Sequence, residues 1–150
     1  MQRLAICFDG IEDDELVTAA LPWIGAFERV EAWCAYGDLA ARELAYIRHA
    51  HGRPPPPPRH GHDEVDRRQA EAIAEGGAVR LRAARVEAEP RILGGRDPGH
   101  ALAEASGPDV ALFLAAGHRG GSGPPSVGHV ARFAIDHARG PVIVVRLAPQ

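Results

Sequence analysis

The chain has 150 residues, 45% of them hydrophobic and 25% charged, with a formal charge of -3 at pH 7. That is enough for one buried core, and the composition excludes a disordered, collagenous or disulfide-framework chain and leaves no positive excess to hold nucleic acid. All 17 basic residues are arginines and neither lysine nor asparagine occurs, so a Walker A loop, a pyridoxal Schiff base and a lysine general base are excluded.

Arg3 to Phe8 is a short apolar run that stops at Asp9-Gly10, the pattern of a buried strand followed by a turn. The acidic run Glu12, Asp13, Asp14, Glu15 suits a helix N-terminus, where negative charge meets the positive end of the dipole. Leu16, Ala19, Ala20, Trp23, Ile24 and Phe27 continue at helical spacing, and Pro22 is expected to kink or split that helix. Arg29 to Tyr36 places Val30, Ala32, Cys34 and Tyr36 on one face of a second strand. Asp38 then caps a predicted helix over Leu39 to Ala50. Five consecutive prolines, Pro54 to Pro58, stand inside a segment of about residues 51–62 that can join neither helix nor sheet, so a flexible insertion within a single domain is expected. Asp63 can cap the next helix, which displays Val65, Ala72 and Ile73. It is predicted to stop near Gly76-Gly77, with Val79 and Leu81 in a second short piece. Val86, Ala88 and Ile92 alternate with charges in a third strand, which its charges and Pro90 mark as an edge. Asp97 or Pro98 opens a helix through Ala105, and Asp109 to Ala116 is a fully buried fourth strand. A glycine-rich loop leads to a last helix striped by Val130, Phe133, Ala134 and His137. Gly140-Pro141 stops it, and Val142 to Leu147 is the fifth strand.

Strands that alternate with helices, and that are apolar almost throughout, imply a parallel sheet covered on both faces. The expected fold is α/β, a five-stranded parallel sheet in a doubly wound three-layer α/β/α sandwich. Cys7 and Cys34 fall in predicted core strands, where a thiol packs as a small hydrophobe, so no structural disulfide is expected. No apolar run approaches the roughly 20 residues of a membrane span, and the N-terminus lacks a signal-peptide pattern; a cytoplasmic protein is the expectation.

Doubly wound folds bind ligands beyond the carboxyl ends of the strands, where the strand order reverses. Two strand ends carry suitable residues. Asp9-Gly10 follows the first, and the run from Gly117 through Gly120 to Gly123 follows the fourth, leading to Gly128-His129-Val130 at the last helix start. If the first and fourth strands are neighbours, these segments meet. Glycines let backbone N–H groups approach an anion, the helix start adds its dipole, and no acidic residue is expected near it to repel phosphate. Asp9 either accepts hydrogen bonds from a sugar or base or serves the turn itself. Gly121-Ser122-Gly123 lacks the frame of a nucleophile elbow, because Pro124 follows it and no strand directly precedes it. His49, His51, His60 and His62 flank the prolines; solvated imidazoles are expected there rather than metal ligands. Trp23 and Trp33, with no basic stripe beside them, are expected to pack rather than stack on bases.

From Gly128 to Val145 the chain resembles the C-terminal signature of the universal stress protein family, with His137-Ala138 and the run Pro141 to Val145 matching in place. Asp9-Gly10 resembles the family's opening Asp-Gly-Ser, with Ile11 in the serine's place. Arg85 to Leu93 resembles its third strand, and Gly117-x-x-Gly120 the first half of its nucleotide loop. The likeness covers nearly the whole chain apart from about residues 37–62. Seven residues separate Gly120 from Gly128 where the nucleotide-binding branch has nine, and His129 replaces its hydroxyl residue. The resemblance implies a regulatory protein that binds ATP or AMP, with magnesium possible beside ATP. Asp9 would face adenine or ribose, Ala35 would line the adenine pocket, and Gly117, Gly120, Gly128, His129 and Val130 would surround the phosphates. It implies no metabolic enzyme, or at most slow ATP hydrolysis with His118 and His129 as the available bases. It also implies a homodimer through the last strand, residues 142–147. The alternative is a homodimeric adaptor of the same fold that has lost the nucleotide.

Overall fold

Apolar sequence puts three strands at the centre. The computed structural model describes residues 2–37, 67–117 and 128–147. The elements are β1 (Arg3–Cys7), α1 (Asp13–Ile24), β2 (Arg29–Gly37), α2 (Arg67–Ala83), β3 (Ala88–Gly95), α3 (Pro98–Ala105), β4 (Val110–Ala115), α4 (His129–His137) and β5 (Val142–Val145). The sheet runs β3-β2-β1-β4-β5 and every pairing is parallel. Chain order moves outward from β1 to β2 and β3, then returns to β4 on the other side. The reversal therefore lies between β1 and β4.

Helices cover both faces, which gives the expected doubly wound three-layer α/β/α sandwich. On one face Leu4, Ile6 and Phe8 of the first strand and its exit pack with Leu16, Val17 and Ala20 of α1 and Ala78 and Leu81 of α2. On the other, Ala5, Trp33, Leu112 and Leu114 pack with Ala101 and Leu102 of α3 and Ala131 and Ala134 of α4. Trp33 is fully buried, and burying a side chain of that kind contributes roughly 1.5–3 kcal/mol. Its indole N–H has no partner among the described residues, while the Arg91 guanidinium of the neighbouring strand lies 5.0 Å from its ring centre. As predicted, Val30, Ala32, Cys34 and Tyr36 share one face of β2. Glu31, buried on the opposite face, is compensated by Arg3 of β1 at 3.1 Å. The charged strand β3 is an edge, as expected, and β5 forms the other.

Four details depart from the sequence expectations. First, α1 continues unsplit through Pro22; the missing N–H leaves the Thr18 carbonyl without its usual helical partner, but with only two residues of helix to follow, the interruption is confined to the last turn. Second, α2 does not stop at Gly76-Gly77 but runs on to Ala83. The reason is tertiary: a Cβ on Gly77 would lie 2.5 Å from the Phe8 ring, so glycine there allows close packing instead of ending the helix. The true stop comes later, where Val86 N–H donates to Leu81 O at 2.9 Å and Arg85 N–H to Arg82 O at 2.9 Å, with Arg85 at φ 64. This is a Schellman closure whose left-handed residue is arginine instead of the usual glycine. Third, Val86 closes that turn and β3 starts at Ala88. Fourth, β5 ends at Val145, short of the predicted Leu147. The predicted helix at 39–50, the proline insertion with its four histidines, and the loop carrying His118 and Gly120 lie outside the described residues.

Candidate functional site

The crevice at the β1/β4 reversal is built from the two strand exits. Ile6 of β1 pairs with Phe113 of β4 in parallel, so the chain leaves these two neighbouring strands at the same end of the sheet, through Asp9-Gly10 after β1 and Ala116-Gly117 after β4. Beyond β4 the chain stays tied to the sheet, since Ala116 N–H donates to Val145 O at 2.7 Å. It then passes directly against the start of α4. Gly128, the N-cap of α4, has φ +86, and a Cβ there would lie 2.7 Å from Gly117 Cα. Only glycine fits at that backbone crossing. The structure thus brings Gly117 and Gly128 together. No acidic residue stands in the first turn of α4.

The remaining predicted residues divide as follows. Val130 packs into the core on the α3/α4 face, and Ala35 of β2 packs on that same face. His129, the first residue of α4, is exposed. Gly120 lies outside the described residues. Asp9 is exposed, and its Oδ1 accepts the Ile11 N–H at 2.8 Å, so it serves the turn as well as fronting the crevice.

One acidic neighbour was missed in the sequence reading. Asp97 caps α3 by accepting the His100 N–H at 2.9 Å, and its other oxygen meets His100 Nδ1 at 2.8 Å. Burial would raise its carboxyl, but these two hydrogen bonds and the charges of His100 and His129 hold it below the ordinary value. Asp97 therefore stands near the start of α4 although it is distant in sequence. The His100 ring stacks on Phe133 with centroids 4.0 Å apart, and Phe133 on His137 at 4.2 Å, which ties α3 to α4 beside the crevice.

The turn of residues 9–13 contains a second unanticipated feature. Gly10 has φ +87 and Glu12 φ 56, and Ile73 of α2 packs over Gly10. Asp13 is buried beneath this turn, only 8% exposed, with its Oδ1 accepting the Gly10 N–H at 3.2 Å. Desolvation, then the negative charge of Asp9, push its carboxyl from 3.8 to about 6, against the opposing pull of the Gly10 N–H and Arg80. Arg80 itself pairs with Asp14 at 2.9 Å. Cys7 and Cys34 are free thiols that burial pushes up to about 12, so neither is a ready nucleophile. Among the described residues, no group of three or more His, Cys, Asp or Glu could hold a metal, and no helix is long and apolar enough to cross a membrane. A depression of about 440 Å³ lies at the opposite end of the sheet, lined by residues including Phe27, Arg29, Arg85 and Glu89. It shares no residue with the crevice.

No family model matches this sequence, and no curated protein matches it. Among solved structures the chain is similar to that of a universal stress protein from Archaeoglobus fulgidus, at 15% identity over 96% of this chain and 93% of that one, with a TM-score of 0.50. The likeness is one of fold.

Proposed function

We propose that this chain binds an adenine nucleotide, ATP or AMP, in the β1/β4 crevice and uses it as a regulatory ligand. The observation that carries the reading is the Gly117/Gly128 crossing at the N-terminus of α4, at the point where the strand order reverses. Backbone N–H groups and the helix dipole there suit phosphate. Asp9 offers a carboxylate to the base or sugar, Ala35 a small apolar wall, and His129 an imidazole able to donate to phosphate in place of a hydroxyl. Gly120 would complete the phosphate loop, and magnesium would accompany ATP. The nucleotide regulates instead of turning over, with slow hydrolysis as the upper limit, in a cytoplasmic protein.

The fold likeness to a universal stress protein supports this reading, as does the resemblance of residues 128–145. A homodimer is part of it: β5 is a half-buried apolar edge strand, which a second copy would cover. The alternative, a homodimeric adaptor without nucleotide, draws on the loop that is two residues shorter than the binding pattern. Calorimetric titration with ATP and with adenosine tests the choice. Asp9→Ala should weaken both about equally, by roughly 10- to 100-fold if a charged hydrogen bond worth about 1.5–3 kcal/mol is lost. Gly120→Val should weaken ATP far more than adenosine. Absence of any binding by the wild type favours the adaptor.

A further inference from the structure

Asp9 stands in a turn that is held from below. The Asp13 carboxylate is buried under it, takes the Gly10 N–H at 3.2 Å, and lies close enough to the Asp9 N–H to be stabilised by it. Gly10, at φ +87, lies against Ile73 of α2, and the free end of the turn is closed by Asp9 accepting the Ile11 N–H. Asp13 thus grips the two peptide groups that set where the Asp9 side chain leaves the backbone. We propose that Asp13 is the positioning residue of the crevice, holding the Gly10 N–H and through it the place of Asp9, so that binding at Asp9 depends on the charge state of Asp13. This rests on the nucleotide reading for its ligand, but not for the behaviour of the turn.

The charged form of Asp13 is the gripping form, because an N–H bond to a carboxylate is roughly twice as strong as one to a neutral acceptor. Protonation removes that strength and leaves a left-handed turn with less to hold it. The groups that bear on Asp13 are Asp9 in the turn, Arg80 of α2, and Cys34 of β2, with Asp14 on its own helix drawing Arg80 away. Burial and Asp9 outweigh Arg80, so Asp13 changes charge at about pH 6.

The test has two arms. In the unliganded protein, the Gly10 amide resonance should titrate with a midpoint near pH 6, and that step should vanish in Asp13→Asn, which keeps the oxygen and the shape. A Gly10 amide that is flat across this range in the wild type, or that titrates unchanged in the variant, overturns the proposal. The second arm uses adenosine, since the phosphates of ATP titrate in the same range. If only the charged form binds, the adenosine Kd of the wild type should rise by up to about tenfold from about pH 7.5 to about pH 5. Asp13→Asn should lose that dependence, while any histidine contribution persists. Adenosine that binds the wild type equally at both pH values overturns the coupling. Adenosine and ATP that both fail to bind at either pH, with the Gly10 step intact, overturn the nucleotide reading and still support the grip of Asp13 on the turn.

Discussion

Gly76 and Gly77 lie side by side in the interior of α2, and alanine at each should move stability in opposite directions. Replacing glycine by alanine inside a helix stabilises by about 1 kcal/mol when the new methyl group has room. At position 76 the only close neighbour of the added Cβ among the described residues is Arg80 Nη1 at 2.9 Å, the far end of a flexible side chain that can swing aside. Gly76→Ala should therefore stabilise by roughly 0.5–1 kcal/mol. At position 77 the added Cβ meets three ring atoms of Phe8 at 2.5, 2.6 and 2.9 Å, and Phe8 is 3% exposed within the core. Forcing a methyl group into such a core costs about 1–3 kcal/mol, so the helix gain is cancelled or exceeded. The net change should be a loss of up to about 2 kcal/mol. Urea unfolding of both variants measures the contrast, and in a domain of this size each kcal/mol moves Tm by roughly 2–4 °C. A double variant in which Phe8→Leu accompanies Gly77→Ala should show positive coupling, because the smaller side chain vacates the contested space. If Gly77→Ala stabilises as much as Gly76→Ala, the contact of α2 with Phe8 is not what the structure describes. The placement of Asp9, the next residue along, would then need revision too.

Three other outcomes follow from the same geometry. For Asp13 the folded-state value of about 6 exceeds the ordinary 3.8, so the folded protein holds the proton more tightly, and stability from this group is lost as pH rises through that interval. Asp13→Asn should accordingly stabilise by up to about 3 kcal/mol at pH 7.5 and by only about 1 kcal/mol at pH 4.5, read from urea unfolding at the two pH values; an equal gain at both would contradict the assignment. Arg85→Gly should raise stability by about 0.5–1 kcal/mol, since it relieves a left-handed side chain at the close of α2 at some entropic cost; an unchanged or lowered unfolding midpoint would refute this. Sedimentation at micromolar concentration should show a dimer that Val144→Lys dissociates by placing a charge on the edge strand, whereas a wild-type monomer or an unaffected dimer removes β5 as the interface.

The sheet was legible because its central strands are buried on both faces and so read as uninterrupted apolar runs. The edge position of β3 was legible from Pro90 and its charges. The end of α2 was not, because the local meaning of a glycine pair is a helix stop, whereas Gly77 answers to Phe8, which lies far away in the sequence. Arg85 gave no stop signal, since arginine rarely takes the left-handed position that closes the helix. In the crevice, the glycines after β4 and at the start of α4 pointed to Gly117 and Gly128, and Gly128 uses both its positive φ and its missing side chain where the two backbones cross. Asp13 was concealed among four consecutive acids that all suit a helix start; what separates it from Asp14 is burial beneath the turn that Ile73 of α2 overlies, a fact of packing. The sequence left Asp97 and Pro98 both open as the start of α3; Asp97 is the cap, and its approach to His129 depends on α3 and α4 lying side by side, joined by the rings of His100 and Phe133.

The central claim is that the crevice between β1 and β4 receives an adenine nucleotide, and the most direct measurement is calorimetric titration of the full chain with millimolar ATP and magnesium, paired with acid extraction of the freshly purified protein to release any bound nucleotide. A saturable heat, or copurifying ATP or AMP, is expected, and it should be strongly weakened in Gly120→Val and Asp9→Ala while both variants still unfold cooperatively. No heat, no thermal shift and no extracted nucleotide would contradict the claim.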